Sequence, residues 1–320
     1  MIQTDVNPQA RAEFRQRCVC ILCGSRALET IWESSFSDEP SCSEISQNGY
    51  AGSPLNALQD QTFRRVRCQD CNMTFHQDVL SDDWLKVLYS QWISETQVAY
   101  LEASLGASRI ETAKENVKHC LRLRQLLKTA PNQSPRLLDF GCGDGNFLRA
   151  ANLFGFQTVG IDFSDSREER SQKLGAIARY STLKDFQQNS PLARQLDVVT
   201  LFQVLEHLVE PLSVLERLAS HLKSGGLLIV EVPNCQGIDS SPQDSEAFRN
   251  VHPLEHINHF TPSSLALMAR FAGFEPIVPG PAWVGSQLKE VVKAWVGSAI
   301  AHSPFKSTRK STNQYFCKVK

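Results

Sequence analysis

No apolar run in the 320-residue chain approaches the ~20 residues that span a bilayer, so no membrane helix is expected. Neither sign of charge dominates, with 33 Lys and Arg against 34 Asp and Glu and a net charge of −1. That balance gives no broad attraction to a phosphate backbone or an anionic surface, and neither nucleic acid nor membrane is expected as a partner. The opening stretch, MIQTDVNPQARAEFRQR, has no apolar segment of the kind a secretory signal carries. No low-complexity tract interrupts the chain, and 42% apolar residues suffice for a sizeable core. One large domain with a smaller module is the natural division of this length. Without a secretion signal, ten cysteines point away from a disulfide framework and toward metal binding in a reducing, cytoplasmic setting.

Four of those cysteines form two pairs, Cys20-Ile-Leu-Cys23 and Cys68-Gln-Asp-Cys71, with residues 24–67 between them. Each pair can form a knuckle presenting two thiolates, and two knuckles close a tetrahedral Zn²⁺ site. Gly24 and Asn72, directly after the pairs, are residue types that tolerate the left-handed backbone of such turns. A closed four-thiolate site has no open position, so its role is structural. Cys18 can compete with Cys20 as a ligand, and Cys42 is left free. The stretch from Ser34 to Asp60, rich in Ser, Gly, Asn and Pro, reads as a loop between the knuckles. A helix capped by Ser81 is expected next, then a second over Ser108–Lys128. Tyr89, Trp92 and Tyr100 are candidates for packing or ligand contact.

The chain is organised around Arg136-Leu-Leu-Asp-Phe-Gly-Cys-Gly-Asp-Gly-Asn-Phe-Leu148. An apolar run ends in Asp139, glycines alternate at 141, 143 and 145, and an apolar helical pattern resumes. That is strand, tight turn, helix, the opening unit of a doubly wound α/β sheet. A second strand, Gln157–Phe163, carries Asp162, 21 residues after Gly141 and placed to accept ribose hydroxyls. A dinucleotide fold prefers a third glycine at 146, where this chain has Asn. Asp139 and Asp144 have no role in cradling a pyrophosphate, whereas an acid beside the turn can meet the ammonium of S-adenosylmethionine. Strands follow near Ala176–Tyr180, over Asp197–Leu205, Leu227–Val232, Gly273–Val278 and Asn313–Val319. Helices fall between them over Ser164–Leu174, Pro211–Leu222, stopped by Ser224-Gly-Gly226, and Thr261–Ala272. A helical apolar stripe from Trp283 to Ile300 reads as a helix packed on the sheet, with a membrane-interface or homodimer face as the alternative.

The segment Asp139-Phe-Gly-Cys-Gly-Asp-Gly145 resembles the first motif of class I S-adenosylmethionine-dependent methyltransferases. Asp197-Val-Val, Gln203-Val-Leu-Glu-His-Leu208, Leu222-Lys-Ser-Gly-Gly226, Val232-Pro-Asn234, His259-Phe-Thr-Pro-Ser-Ser-Leu265 and Ala272-Gly-Phe274 recur in that order in a subgroup related to ubiquinone O-methyltransferases and sugar methyltransferases. Its zinc-bearing members carry Cys-x-x-Cys-Gly-Ser and a later Cys-x-x-Cys before the sheet, as at Cys20–Ser25 and Cys68–Cys71. The resemblance runs from about Cys20 to Gly280. Deoxysugar C-methyltransferases with such a module carry a further C-terminal domain that has no counterpart after the seventh strand here.

The resemblance implies a Rossmann-like seven-stranded sheet with a zinc-ribbon-like module at residues 15–80, a helical cover at 81–130 and the methyltransferase domain at 131–320. It also implies that Asp139, Gly141, Gly143 and Gly145 hold the methionine part of the donor. Asp162 then takes the ribose, Phe163 packs on adenine, and Gln203 lies beside the cofactor. Ser181, Thr182 and Asp185 are alternatives for the adenine-edge contact.

Methyl transfer from a sulfonium needs an aligned acceptor and the handling of one proton. Glu206-His207, straight after the fourth strand, offers an imidazole with a carboxylate beside it. In His252-Pro-Leu-Glu-His256-Ile-Asn-His259, three imidazoles and Glu255 can bind a metal or line the acceptor. His207, Glu206, His256 and His259 are the candidate catalytic residues. Residues 235–250 are long enough for a lid. The expected acceptor is a small polar metabolite, a nucleotide-linked sugar or a polysaccharide or natural-product precursor. The alternatives are an RNA methyltransferase whose zinc module reads RNA, and a non-catalytic binding protein on the same fold.

Overall fold

The computed structural model describes residues 10–47, 50–52, 54–93, 109–127, 133–163, 167, 178–238, 242, 245–282 and 311–319. In chain order the described strands are β1 (Phe14–Gln16), β2 (Leu28–Ser35), β3 (Thr62–Cys68), β4 (Thr74–His76), β5 (Asp78–Leu80), β6 (Arg136–Phe140), β7 (Gln157–Ile161), β8 (Ala178–Tyr180), β9 (Leu196–Phe202), β10 (Leu222–Pro233), β11 (Asn258–His259), β12 (Phe274–Ile277) and β13 (Ser311–Lys318). The helices are α1 (Ser41–Gln47), α2 (Pro54–Leu58), α3 (Asp82–Val87), α4 (Arg109–Leu127), α5 (Asn146–Leu153), α6 (Leu183–Asn189), α7 (Pro211–Ala219), α8 (Ser245–Asn250) and α9 (Pro262–Phe271). The chain divides into two compact units that do not follow consecutive blocks of sequence. The first gathers Met1–Ala107, Glu206–Pro211 and Pro233–Leu265; the second gathers Ser108–Leu205, Leu212–Val232 and Ala266–Lys320. Residues 206–211 and 233–265, expected within the 131–320 domain, thus group with the cysteine-bearing module.

The first unit is built on an antiparallel sheet in the order β11-β4-β3-β2, beside a β1–β5 pair. Its edge strand β11 comes from far along the chain and pairs Asn258 with Phe75 and His259 with Thr74. Trp32, Phe36, Ile45, Leu58, Phe63, Trp84, Leu88, Trp92, Phe248 and Leu254 form its core. Segment 34–60 is not the open loop its composition predicts. It folds into α1 and α2, because Phe36, Ile45, Ala57 and Leu58 are spaced to reach that core and are at most 1% exposed. Ser81 stands at the N-cap of α3 but makes no side-chain cap; the carbonyl of Ser81 instead accepts the Leu85 N–H at 2.8 Å. Trp92 and Tyr89 belong to this core, while Tyr100 lies outside the described residues.

The second unit holds the expected sheet, seven strands in the order β12-β13-β10-β9-β6-β7-β8. β10, β9, β6, β7 and β8 pair in parallel, and β13 runs antiparallel to β12. β9 is buried almost throughout, as its unbroken apolar sequence requires of a strand covered on both faces. Cys120 and Leu123 of α4, Phe147 and Leu148 of α5, Phe156 and Tyr315 pack against these strands. One detail differs from expectation. Ser224-Gly-Gly226 does not lie outside the fifth strand as a helix stop; it lies within β10, where the pairing with β9 slips between Leu222 and Leu227. Leu222 already pairs with Leu196, so the glycines are taken up as a bulge. The last strand, expected as the seventh of the sheet, lies between β12 and β10. The helices expected at Ser164–Leu174 and Trp283–Ile300 lie outside the described residues, Arg167 excepted.

Candidate functional site

In the second unit the turn after β6 bends through three glycines with φ of 81°, 52° and 76° at 141, 143 and 145. Gly141 is required on two counts: its φ is left-handed, and a Cβ there would lie 2.3 Å from Val204 Cγ2. Asp139, 3% exposed, accepts the Thr200 hydroxyl at 2.7 Å on Oδ1. Burial pushes its carboxyl up to about 7, and the charge of Asp162 adds to the rise, while the Thr200 hydrogen bond opposes it. Asp162, at the end of β7 and 6% exposed, accepts the Gly143 N–H at 2.8 Å. Arg179 on β8 donates to Asp162 Oδ1 at 3.3 Å and to the Gly143 carbonyl at 3.1 Å, and Arg167 Nη1 lies 3.7 Å from Asp162 Oδ2. Phe163 follows and is 48% exposed. Gln203 has a left-handed φ of 56°, a strain on the order of 1–3 kcal/mol for a non-glycine residue. It is tied to Glu231 by its backbone N–H, 2.8 Å from the carbonyl, and by its amide, 3.2 Å from Oε1.

These residues fit S-adenosylmethionine. A buried acid whose carboxyl is raised by burial suits a cationic ligand, an exposed aromatic ring suits a purine face, and a carboxylate at the end of the second strand of the unit suits a ribose. Thr182 and Asp185 are engaged otherwise. The Thr182 hydroxyl caps α6 by accepting the Asp185 N–H at 3.0 Å, and Asp185 accepts the Asn189 amide at 2.6 Å. Ser181 is exposed.

The first unit carries two clusters. In one, the thiols of Cys20, Cys23, Cys68 and Cys71 lie within 4.8 Å of one another, with Cys20–Cys71 at 3.5 Å and Cys23–Cys68 at 3.6 Å. Zinc–sulfur bonds of ~2.3 Å in a tetrahedron place sulfurs about 3.8 Å apart, so four thiols gathered at this spacing are a donor set compatible with the ion. The knuckles form as the sequence predicts: the Gly24 N–H donates to the Cys20 carbonyl and the Asn72 N–H to the Cys68 carbonyl, with φ of 74° and 59°. Cys18 is exposed, and its thiol lies toward Gln16.

In the other cluster, Glu206, His207 and His256 each bring a donor atom within 4.8 Å of the others. Glu206 and His207 lie on the 3₁₀ turn Leu205–His207, which follows β9 in sequence. His207 Nδ1 is 2.8 Å from the Glu255 carbonyl, which can only accept, so this nitrogen carries a proton; Nε2 lies 3.7 Å from Glu206 Oε1. The His256 ring packs edge-on to His207 at 4.9 Å, and burial lowers its pKa to about 4, keeping it neutral. Two imidazoles and a carboxylate are also a donor set for a divalent metal. Tyr50 donates a hydrogen bond to Glu255 Oε1.

The histidine-rich segment itself does not converge. His252 Nδ1 accepts the Leu254 N–H, and His259 is buried between the Arg65 guanidinium and the His256 carbonyl. Of the four histidine and acid candidates, the structure brings together Glu206, His207 and His256, and places His259 among structural contacts. Thr200, Arg179, Arg17 and Arg65 carry no motif that a single sequence could have flagged.

A family model described as a methyltransferase domain matches residues 112–278, just over half of the chain. Ubiquinone biosynthesis O-methyltransferase of Marinobacter nauticus is 32% identical over 154 residues, 45% of this chain and 65% of that protein. The enzyme of the same name from Ralstonia nicotianae is 29% identical over 165 residues, 49% of this chain and 69% of that protein. The chain thus spans about two thirds of the length of these relatives. In fold it is similar to the plantazolicin methyltransferase BpumL, solved in complex with a pentazolic desmethylPZN analog and SAH. That likeness has a TM-score of 0.50 at 16% identity and covers 74% of this chain and 95% of the other. With the family model spanning the glycine turn, Asp162, Gln203 and Glu206-His207, the chain belongs to the methyltransferase-domain family, on the fold of class I S-adenosylmethionine-dependent methyltransferases.

Proposed function

We propose that the protein transfers a methyl group from S-adenosylmethionine to a small polar metabolite, and that Zn²⁺ held by Cys20, Cys23, Cys68 and Cys71 stabilises the first unit. The observation that carries the reading is the buried Asp139 beside the glycine turn, with Asp162 and Phe163 at the end of the next strand. When bound, S-adenosylmethionine supplies a methyl already activated on sulfur. Asp139 and the turn at Gly141, Gly143 and Gly145 hold its amino-acid end, Asp162 accepts from the ribose, Phe163 covers adenine, and Gln203 completes the edge. His207 takes the acceptor's proton on Nε2, because Nδ1–H is committed to the Glu255 carbonyl. Glu206 then steadies the imidazolium, and neutral His256 walls the group. The balanced net charge and the relatives' names favour a small acceptor over RNA. Among such acceptors, a nucleotide-linked sugar or a polysaccharide or natural-product precursor is the reading we favour.

The test is transfer of label from methyl-labelled S-adenosylmethionine to nucleotide sugars and phenolic metabolites, with total ribosomal RNA offered alongside. Label in the small-molecule pool is expected, with His207→Gln reducing it at least tenfold. Label in RNA would overturn the acceptor class, and failure to bind the donor by calorimetry would overturn the activity.

A further inference from the structure

Two arginines of the first unit are buried beyond what a surface residue requires: Arg17 is 9% exposed and Arg65 only 1%. A guanidinium removed from water needs acceptors for its five N–H groups, and the acceptors found here are informative. Arg17 follows β1, three residues before Cys20. Its Nε donates to the His76 carbonyl at 2.9 Å, Nη2 to the Ile257 carbonyl at 2.7 Å, and Nη1 to Asn258 Oδ1 at 2.8 Å and the Val209 carbonyl at 3.5 Å. The Asn258 amide in turn donates to the Leu208 carbonyl at 2.6 Å. One side chain therefore ties β4 to the two segments that carry His256 and His207, next to those histidines in sequence. Arg65 lies on β3, three residues before Cys68. Its Nε donates to His259 Nδ1 at 3.1 Å, which leaves the proton of His259 on Nε2, where it is given to the His256 carbonyl at 2.9 Å. The adjacent Glu255 carbonyl is the one that accepts from His207 Nδ1.

We propose that Arg17 and Arg65 are positioning residues, through which the cysteine-bearing sheet braces the Glu206–His207–His256 cluster. This rests on the reading that the cluster handles the acceptor's proton. Segments 206–211 and 255–257 lie outside the strands: Arg17 holds the Val209 and Ile257 carbonyls, the latter shared with the His76 N–H at 2.9 Å, and His259, itself held by Arg65, reaches the His256 carbonyl. On this reading the module's contribution is to positioning the proton-handling cluster.

The test compares Arg17→Met, Arg65→Met, Arg65→Lys and His207→Gln in the full chain. Readouts are turnover with the acceptor pool above, SAH affinity by calorimetry, zinc content, and ¹⁵N imidazole shifts that report each histidine's tautomer without any acceptor. Both methionine variants should lose turnover by about tenfold to a hundredfold, the scale of a misplaced group. SAH affinity should stay within about twofold and zinc content should not change, while the His259 and His207 imidazole signals shift. Arg65→Lys, which keeps one donor for His259, should recover part of the loss; Arg17→Met has several acceptors to leave bare. Unchanged turnover and unchanged imidazole shifts in both methionine variants, with His207→Gln impaired, would overturn this proposal alone. Parallel loss of SAH binding, turnover and zinc would also overturn it, showing a role in folding only. Full turnover by His207→Gln would remove the cluster reading and this inference with it.

Discussion

Asp139 allows the donor site to be tested without any knowledge of the acceptor. Its carboxyl is 3% exposed and is raised from its ordinary 3.8 to about 7, chiefly by burial. Between those pH values the folded chain holds a proton that the unfolded chain has released, so unfolding releases it and stability falls as pH rises. The contribution is fully present below about pH 4, is lost progressively through about pH 7, and is level above it. The rise corresponds to roughly 4 kcal/mol once the group is ionised. At ~2–4 °C per kcal/mol for a unit of this size, the melting temperature should carry a pH-dependent drop on the order of 10 °C. Asp139→Asn keeps the shape and an oxygen for the Thr200 hydroxyl but cannot titrate. Thermal unfolding of both proteins followed by circular dichroism from pH 5 to 8.5 should therefore show the variant gaining on the parent as pH rises. Saturating S-adenosylmethionine should flatten the parent's slope, because its ammonium favours the ionised acid. Asp139→Asn should bind the donor at least tenfold more weakly. Parallel pH profiles for the two proteins would refute the account of Asp139 as a buried acid awaiting a cationic ligand.

Further outcomes follow from the other sites. Cys68→Ser should lower zinc content measured by emission spectroscopy and expose the first unit to limited proteolysis; an unchanged digest and metal content would defeat the zinc assignment. Asp162→Ala should weaken SAH by more than tenfold in calorimetry while leaving 2′,3′-dideoxy SAH little changed, since only the former offers the ribose hydroxyls. Phe63→Ala should cost about 3–5 kcal/mol in denaturant titration, because its ring is fully buried and meets Trp32 edge-on at 4.8 Å.

What the sequence by itself determined is what is encoded locally. The alternation of apolar run, acid and glycines from Arg136 to Leu148 dictates strand, turn and helix, because the left-handed φ at 141, 143 and 145 favours glycine and a Cβ at 141 would meet Val204. The Cys-x-x-Cys pairs with Gly24 and Asn72 likewise dictate two knuckles, each closed by hydrogen bonds within a few residues. The continuous apolar run at Asp197–Leu205 dictates a strand buried on both faces. Tertiary structure decided whatever depends on partners distant in the chain. Segment 34–60 looked like a loop because its helices are only one or two turns long, and such helices form only against a core, here Trp32 and Phe63. The division into units was not legible either, since β11 joins a sheet whose other strands lie almost 200 residues earlier. From sequence alone, His256 and His259 stood as equal candidates. Burial and an arginine 194 residues away assign His259 to the scaffold and leave His256 facing His207 and Glu206, because a hydrogen bond acts over 3 Å of space whatever the separation along the chain.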